Sequence, residues 1–270
     1  MKIFDCIIYL DEDLLLDLRL NILNNYIDYF VIVESDKTWQ NNNKNFNFNI
    51  EKFQKFSHKI IYIKVQDMPN GKNPWIRENF QRNCITRGLL KANNEDLIII
   101  SDADEIPDPE KVIKFDMKKK YGVFEQKQYY YKLNLLNISN PIWYGSKACV
   151  KKYLKSPQWL RELKIKKRPF WRLDKMNLNY SIHDGGWHFC NLKTPDQLLF
   201  KYKNLCEYKD DYVFMNSIDE SFLNKKTIEK NIKNQKDIIG RKDIFVKKDI
   251  NKNYPMYILN NLGKFNDWII

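Results

Sequence analysis

Only 8 of the 270 residues are Gly and 9 are Pro. That scarcity excludes collagen-like chains and flexible linkers, both of which are built on these residues. Long apolar runs are missing too, and no stretch approaches the ~20 residues a membrane-crossing helix needs. The apolar run Ile3–Leu10 is broken by Asp5 and followed by Asp11-Glu12-Asp13, with no small-residue cleavage site. It therefore reads as a first β-strand and not as a signal peptide. The five cysteines (Cys6, Cys84, Cys149, Cys190, Cys206) are scattered and form no Cys-x-x-Cys. A zinc site or a disulfide framework is not expected, and free thiols in a reducing, cytoplasmic compartment are.

What is present is enough apolar matter for a packed core: 43% hydrophobic residues and 14% aromatics. Global disorder is excluded. The formal charge is +12, from 46 Lys and Arg against 34 Asp and Glu. Charge alone admits nucleic acid, an anionic membrane surface or an anionic small molecule as partner. Its distribution is uneven. Residues 1–50 carry four basic and eight acidic residues, whereas Lys151 to Lys175 holds ten basic residues and two acids, with Trp159, Phe170 and Trp171 interleaved. No helix-turn-helix, zinc-finger or RNP signature accompanies that tract, so nucleic acid is disfavoured. A phosphate-binding wall or an anionic acceptor site fits it better.

The first hundred residues alternate strand and helix signals. Strands are expected at Ile3–Leu10, Tyr29–Val33, Lys59–Val65 and Leu97–Ser101. Helices are expected at Leu14–Tyr26 and Trp75–Lys91, with an Asn-rich loop over residues 35–49. This order predicts an α/β fold with a parallel sheet covered on both faces. After residue 120 come strand-like segments at Tyr121–Leu133, Trp143–Lys152 and Ile182–Leu192. A helix is expected over Thr194–Tyr208, with Thr194 as N-cap and Pro195 at its first position. No linker forces a split, so residues 1–270 are read as one unit, with a ligand-binding half over 1–120 and a second half over 121–270.

The most informative segment is Leu97-Ile98-Ile99-Ile100-Ser101-Asp102-Ala103-Asp104-Glu105-Ile106-Pro107. An apolar strand ends and three acids follow at once. In open α/β sheets ligands bind beyond the carboxyl ends of strands. Clustered carboxylates there repel one another, and a hard divalent cation carrying ligand phosphates relieves the repulsion. An acidic strand end also occurs in haloacid-dehalogenase-like phosphohydrolases, where the first Asp is a nucleophile. Those place Thr or Val two residues after the second Asp; here Ile106 stands there. A non-catalytic polyanion-binding module using the basic tract is a third reading.

Ser101-Asp102-Ala103-Asp104-Glu105-Ile106-Pro107 resembles the signature of glycosyltransferase family 17, the family of bisecting N-acetylglucosaminyltransferases. Further blocks agree in order: Phe4-Asp5-Cys6, Asp28 to Ser35, Trp75 to Asn83, Tyr130 to Asn134, and Gly185-Gly186-Trp187-His188-Phe189. The resemblance covers about residues 3–260. It implies a GT-A-like fold, a UDP-sugar donor, a divalent cation (Mn2+ or Mg2+) and inversion at the anomeric carbon, with a glycan as acceptor. It carries metal coordination onto Asp104 and Asp102, with Asp102 alternatively on the ribose and Glu105 orienting its neighbours or the donor. Three departures stand out. The loop after Glu34 lacks the usual Gly- and Pro-containing stretch, Cys190 replaces a common Ser, and the anchor and stem of animal members have no counterpart, leaving only peripheral membrane contact.

Other residues follow from chemistry. Glu34, at a strand end, is a candidate for the nucleotide base or ribose. Arg77, Gln81, Arg82 and Asn83 lie on a helix leading into the acidic strand, and Arg suits a diphosphate because its planar fork donates twice. His183-Asp184-Gly185-Gly186-Trp187-His188 holds two of the three histidines. His188 is the candidate for completing the metal shell, and the Gly pair would admit a ligand to the backbone. Inverting transfer requires a base for the acceptor hydroxyl; Asp184 is the first candidate and Glu125 its rival.

Overall fold

A computed structural model describes residues 1–165, 178, 180–206, 221 and 223–270. The remainder of the basic tract, including Phe170 and Trp171, lies outside the described residues.

Four strands form the expected parallel sheet: β1 (Ile3–Ile8), β2 (Tyr29–Ser35), β3 (Ile60–Val65) and β4 (Leu97–Asp102), in the order β3-β2-β1-β4. β1 is buried along its whole length, as its near-continuous apolar sequence requires of a central parallel strand. Side chains alternate between two cores. Ile3 and Ile7 pack into one with α1 (Asp13–Leu23), while Phe4, Cys6 and Ile8 pack into the other. Asp5 thereby faces α1. On the opposite core lies α2 (Pro74–Asn83), capped by Asn73 and started by Pro74. It stops at Asn83, short of the expected Lys91, because the chain tightens into a 3-10 turn over Cys84–Gly88. Gly88 there approaches Val31 so closely that a Cβ would stand 2.4 Å from Val31 Cγ1.

The strand order reverses at β1, so β1 and β4 flank a switch point where a crevice opens beyond their carboxyl ends. Ile8 of β1 lies in register with Asp102 of β4. The acidic segment thus sits where the topology leaves room for a ligand.

The sheet continues past β4 in mixed sense. β6 (Tyr121–Tyr130), β7 (Leu135–Asn137), β8 (Ile142–Val150) and β11 (Phe245–Lys247) are joined by antiparallel pairing, and β8 abuts β4. These strands include the strand-like segments expected after residue 120. β5 (Glu105–Pro107), β9 (Ser181–Ile182) and β10 (Gly186–Cys190) complete it; β10 runs antiparallel to β5 and parallel to β6. The helices here are α3 (Pro109–Ile113), α4 (Pro157–Glu162), α5 (Pro195–Asn204), α6 (Lys225–Lys233) and α7 (Met256–Leu259). Thr194 caps α5 in a full capping box with Gln197, as its sequence predicts. All five cysteines are free thiols. Among the described residues no helix is long and apolar enough to cross a membrane.

Candidate active site

A cavity of about 1080 Å³ opens over the carboxyl ends of β1, β2, β4 and β10. Its wall includes Tyr9 and Leu10 after β1, Ser35 at the end of β2 with Lys37, Thr38 and Trp39 after it, Arg82 of α2, Asp102 at the end of β4 with Asp104 after it, and His188 and Cys190 of β10. Lys201 of α5 and the segment Ile239–Lys242 close the far side.

The acidic turn is held from three directions. Behind it, the buried Arg19 of α1 donates from Nε and Nη2 to Asp5, both at 2.6 Å. Its Nη1 donates to the Glu105 carbonyl at 2.6 Å. Above it, Arg161 of α4 donates to Glu105 Oε2 at 2.7 Å and to Asp102 Oδ2 at 2.9 Å. From the side, Arg82 Nη2 meets Asp102 Oδ1 at 3.1 Å and Glu78 at 2.6 Å. Glu105 is fully buried; besides Arg161 it accepts from the Trp143 indole and from the Asp102 amide. Burial favours the protonated Asp102, but Arg161 and Arg82 outweigh it and hold the carboxyl below its usual range.

Asp104 is engaged differently. His188 Nε2 stands 3.4 Å from its Oδ1, and Lys201 Nζ 3.9 Å from Oδ2. Burial would raise the Asp104 pKa; the His188 ring and the Lys201 ammonium reverse that and hold it below the carboxylate range. Burial likewise works against a charged His188, yet Asp104 pushes its pKa up to about 10. The Trp143 ring lies 5.0 Å from the imidazole and fixes its plane. The Cys190 thiol completes a group in which the donor atoms of Asp104, His188 and Cys190 all lie within 4.8 Å of one another. His188 Nδ1 is buried without a hydrogen-bond partner. An oxygen, a nitrogen and a sulfur donor around an unsatisfied buried nitrogen fit a divalent cation.

Several expected residues are placed elsewhere. Glu34 does not line the cavity. It is fully buried and accepts from Lys44, Tyr62 and the amides of Asn47 and Phe48, so it staples the 35–49 loop to the sheet. Glu34→Ala is expected to cost about 2–3 kcal/mol of stability, since four donors lose one acceptor; urea denaturation measures it. Arg77 is likewise a loop anchor, donating to the carbonyls of Trp39 and Gly71. Asn83 accepts from the Gln158 amide at 3.0 Å and ties α2 to α4. Neither reaches the cavity wall.

Glu125 and Asp184 are also absent from that wall. The pairing of β6 with β8 slips between Val123 and Glu125. A bulge of this kind changes which face the following side chains take. Gln128 and Tyr130 then line the cavity, while Tyr129, on the phase of Glu125, packs into the α1-side core. Glu125 binds the exposed His183 at 2.7 Å, and Asp184 pairs with Lys127 at 3.5 Å. The Gly pair serves packing: at Gly186 (φ 133°) a Cβ would fall 2.2 Å from the Ile106 carbonyl, so β10 lies directly on β5. Trp187 belongs to the core.

Arg161, Arg19 and Lys201 were not among the residues expected in the site. Arg161 was visible as part of the basic tract, and its side chain is buried inside the acidic turn. Lys147 supports it from below, donating to the Arg161 carbonyl and, at 2.6 Å, to that of Leu163. Burial lowers the Lys147 pKa to about 8 from 10.5. Between those values the unfolded chain holds the proton and the native chain has released it, so stability rises with pH across that window, by up to ~3 kcal/mol. The unfolding free energy of the wild type minus that of Lys147→Met is expected to grow from pH 8 to pH 10.5.

A carboxylate turn at the switch point of an α/β sheet, facing a cavity of this size, is the arrangement in which open α/β sheets take their ligands. The chain belongs to glycosyltransferase family 17, which it matches over residues 1–243. It is 24% identical over 224 residues to the human beta-1,4-mannosyl-glycoprotein 4-beta-N-acetylglucosaminyltransferase, covering 69% of this chain and 40% of that protein. The rat protein of the same name is also 24% identical, with 69% and 39% covered. The chain thus spans about 40% of the length of the curated relatives it matches. Among solved structures, Staphylococcus aureus TarS 1–349 aligns over 85% of this chain and 70% of its own at TM-score 0.38 and 12% identity. A putative glucose-1-phosphate thymidylyltransferase from Bacillus anthracis aligns over 69% and 88%, also at TM-score 0.38 and 12% identity.

Proposed function

We propose that the chain is a metal-dependent, inverting glycosyltransferase of GT-A type that moves N-acetylglucosamine from UDP-N-acetylglucosamine to a glycan hydroxyl. The observation that carries this reading is Asp104, set with His188 in the wall of the switch-point cavity. The donor sugar follows from the name of the relatives. Asp104 and His188 would hold the cation, Mn2+ or Mg2+, which supplies positive charge to the departing diphosphate.

The protein's own groups divide the remaining work. Tyr9, Leu10 and Trp39 offer an apolar and aromatic wall to the nucleoside. Lys201 and Arg82 bring fixed positive charge to the same crevice, where low dielectric strengthens it. Arg161 fixes Asp102 and Glu105, so the turn does not reorganise when a ligand arrives. Arg241 and Lys242, both in the cavity wall, favour an acceptor with negative charge. Among the wall's carboxylates Glu78 is held by Arg82 and Glu12 by Lys193, so either would serve as base for the acceptor hydroxyl only on leaving that partner, while Asp184 and Glu125 stand outside the wall.

A nucleophilic Asp102, as in phosphohydrolases, is disfavoured because two guanidinium groups already occupy its oxygens. A polyanion-binding module built on the basic tract would have to do without Arg161, which is engaged by Asp102 and Glu105. A thermal-shift series with UDP, GDP and their sugars, with and without Mn2+, tests the reading. UDP and UDP-N-acetylglucosamine should stabilise only when the metal is present, by ~2.7 kcal/mol at a hundredfold excess over Kd. A preference for GDP, or a metal-independent shift, overturns it.

A further inference from the structure

We propose that Cys190 is itself a ligand of the cation, and that its thiolate makes this a site for a borderline cation of the zinc–cobalt class in preference to magnesium. The proposal rests on the reading that the cavity holds a divalent cation.

His188 and Cys190 are two apart on β10, so both side chains take the same face of the strand. Phe189 between them is buried in the core. Asp104 reaches the pair from the neighbouring turn, and the three donor atoms lie within 4.8 Å of one another. The His188 ring is oriented by Trp143, whose indole is tied to Glu105 at 2.7 Å. Its Nδ1 has no partner although the residue is only 6% exposed.

The other four cysteines are buried, and Cys190 alone of the five lines the cavity. Magnesium takes an octahedral set of oxygens, and calcium an all-oxygen set too. Here the second carboxylate that would extend such a set is withheld, since Asp102 is bound by both Arg82 and Arg161. What remains is one carboxylate, one imidazole and one thiol, a set that suits zinc and cobalt. On binding, the thiol gives its proton to solvent and sulfur bonds to the metal; nothing is oxidised or reduced.

Cobalt reports on this directly. The full chain, stripped with a chelator and titrated with Co2+, should develop a near-ultraviolet sulfur-to-cobalt charge-transfer band together with visible d–d bands. Cys190→Ser should lose the charge-transfer band, and its affinity for Zn2+ and Co2+ should fall by at least about tenfold while that for Mg2+ is unchanged. Far-UV circular dichroism of the variant matching the wild type shows that it folds. The proposal is overturned if wild-type protein binds Co2+ without the charge-transfer band, or if Cys190→Ser retains the band and the Zn2+ affinity. A charge-transfer band without any UDP shift would instead sink the nucleotide-sugar reading and leave Cys190 as a ligand.

Discussion

Asp104→Ala is expected to abolish metal-dependent UDP binding and to lower kcat by about a thousandfold, equivalent to ~4 kcal/mol of transition-state stabilisation. The reason lies in how the acids are shared. Asp102 and Glu105 are neutralised by arginines within the protein, whereas Asp104 meets only a histidine ring and a more distant lysine. Asp104 is therefore the carboxylate that a cation can recruit. Its loss leaves Arg19, Arg82 and Arg161 and their hydrogen bonds in place, so far-UV circular dichroism should match the wild type. Turnover within tenfold of wild type would remove Asp104 from the metal site.

The second large effect concerns stability. Arg19→Met should destabilise the protein by about 3–5 kcal/mol, because it strands the buried Asp5 carboxylate without its partner. The pair is 0% and 1% exposed, so solvent cannot compensate. Asp5→Leu combined with Arg19→Met should recover most of that loss, since an apolar pair replaces both charges. The double variant would still lack the Arg19 contact to the Glu105 carbonyl. It should therefore fold yet bind UDP with metal more weakly than wild type. Equal losses in the single and double variants, read by urea denaturation, would show that Asp5 and Arg19 do not act as a pair.

The parallel half was legible because each of its strands is a local apolar run, and the acidic turn because three acids follow such a run. The residues that hold the turn were not. Arg19 lies 86 positions from the carbonyl it supports, and Arg161 lies 56 from Glu105. A charged residue on the apolar stripe of α1, facing a lone Asp in an apolar strand, was the signal available for the Asp5–Arg19 pair. Glu34 and Arg77 were misplaced for a related reason: sequence shows a charge at a strand end or on a helix, but not that a polar loop folds back to take it. Glu125 was misplaced by a single bulge. Cys190 stood out only as a departure from a common Ser and not as a ligand, because thiols were sought in Cys-x-x-Cys spacing, whereas here a turn and a strand bring the donor atoms together.

The position of β10 bears on synthesis. When residue 180 leaves the ribosome the parallel strands, the acidic turn and Arg161 have all been made, but neither His188, Cys190 nor Lys201 has. β10 must then enter beside β5 and β6, so the donor group assembles only as the last third of the chain is delivered. A nascent chain stalled at that point would present its acids with neither His188 nor Cys190 beside them. On the proposed reading, tight cation binding would therefore appear only once β10 has paired with β5 and β6.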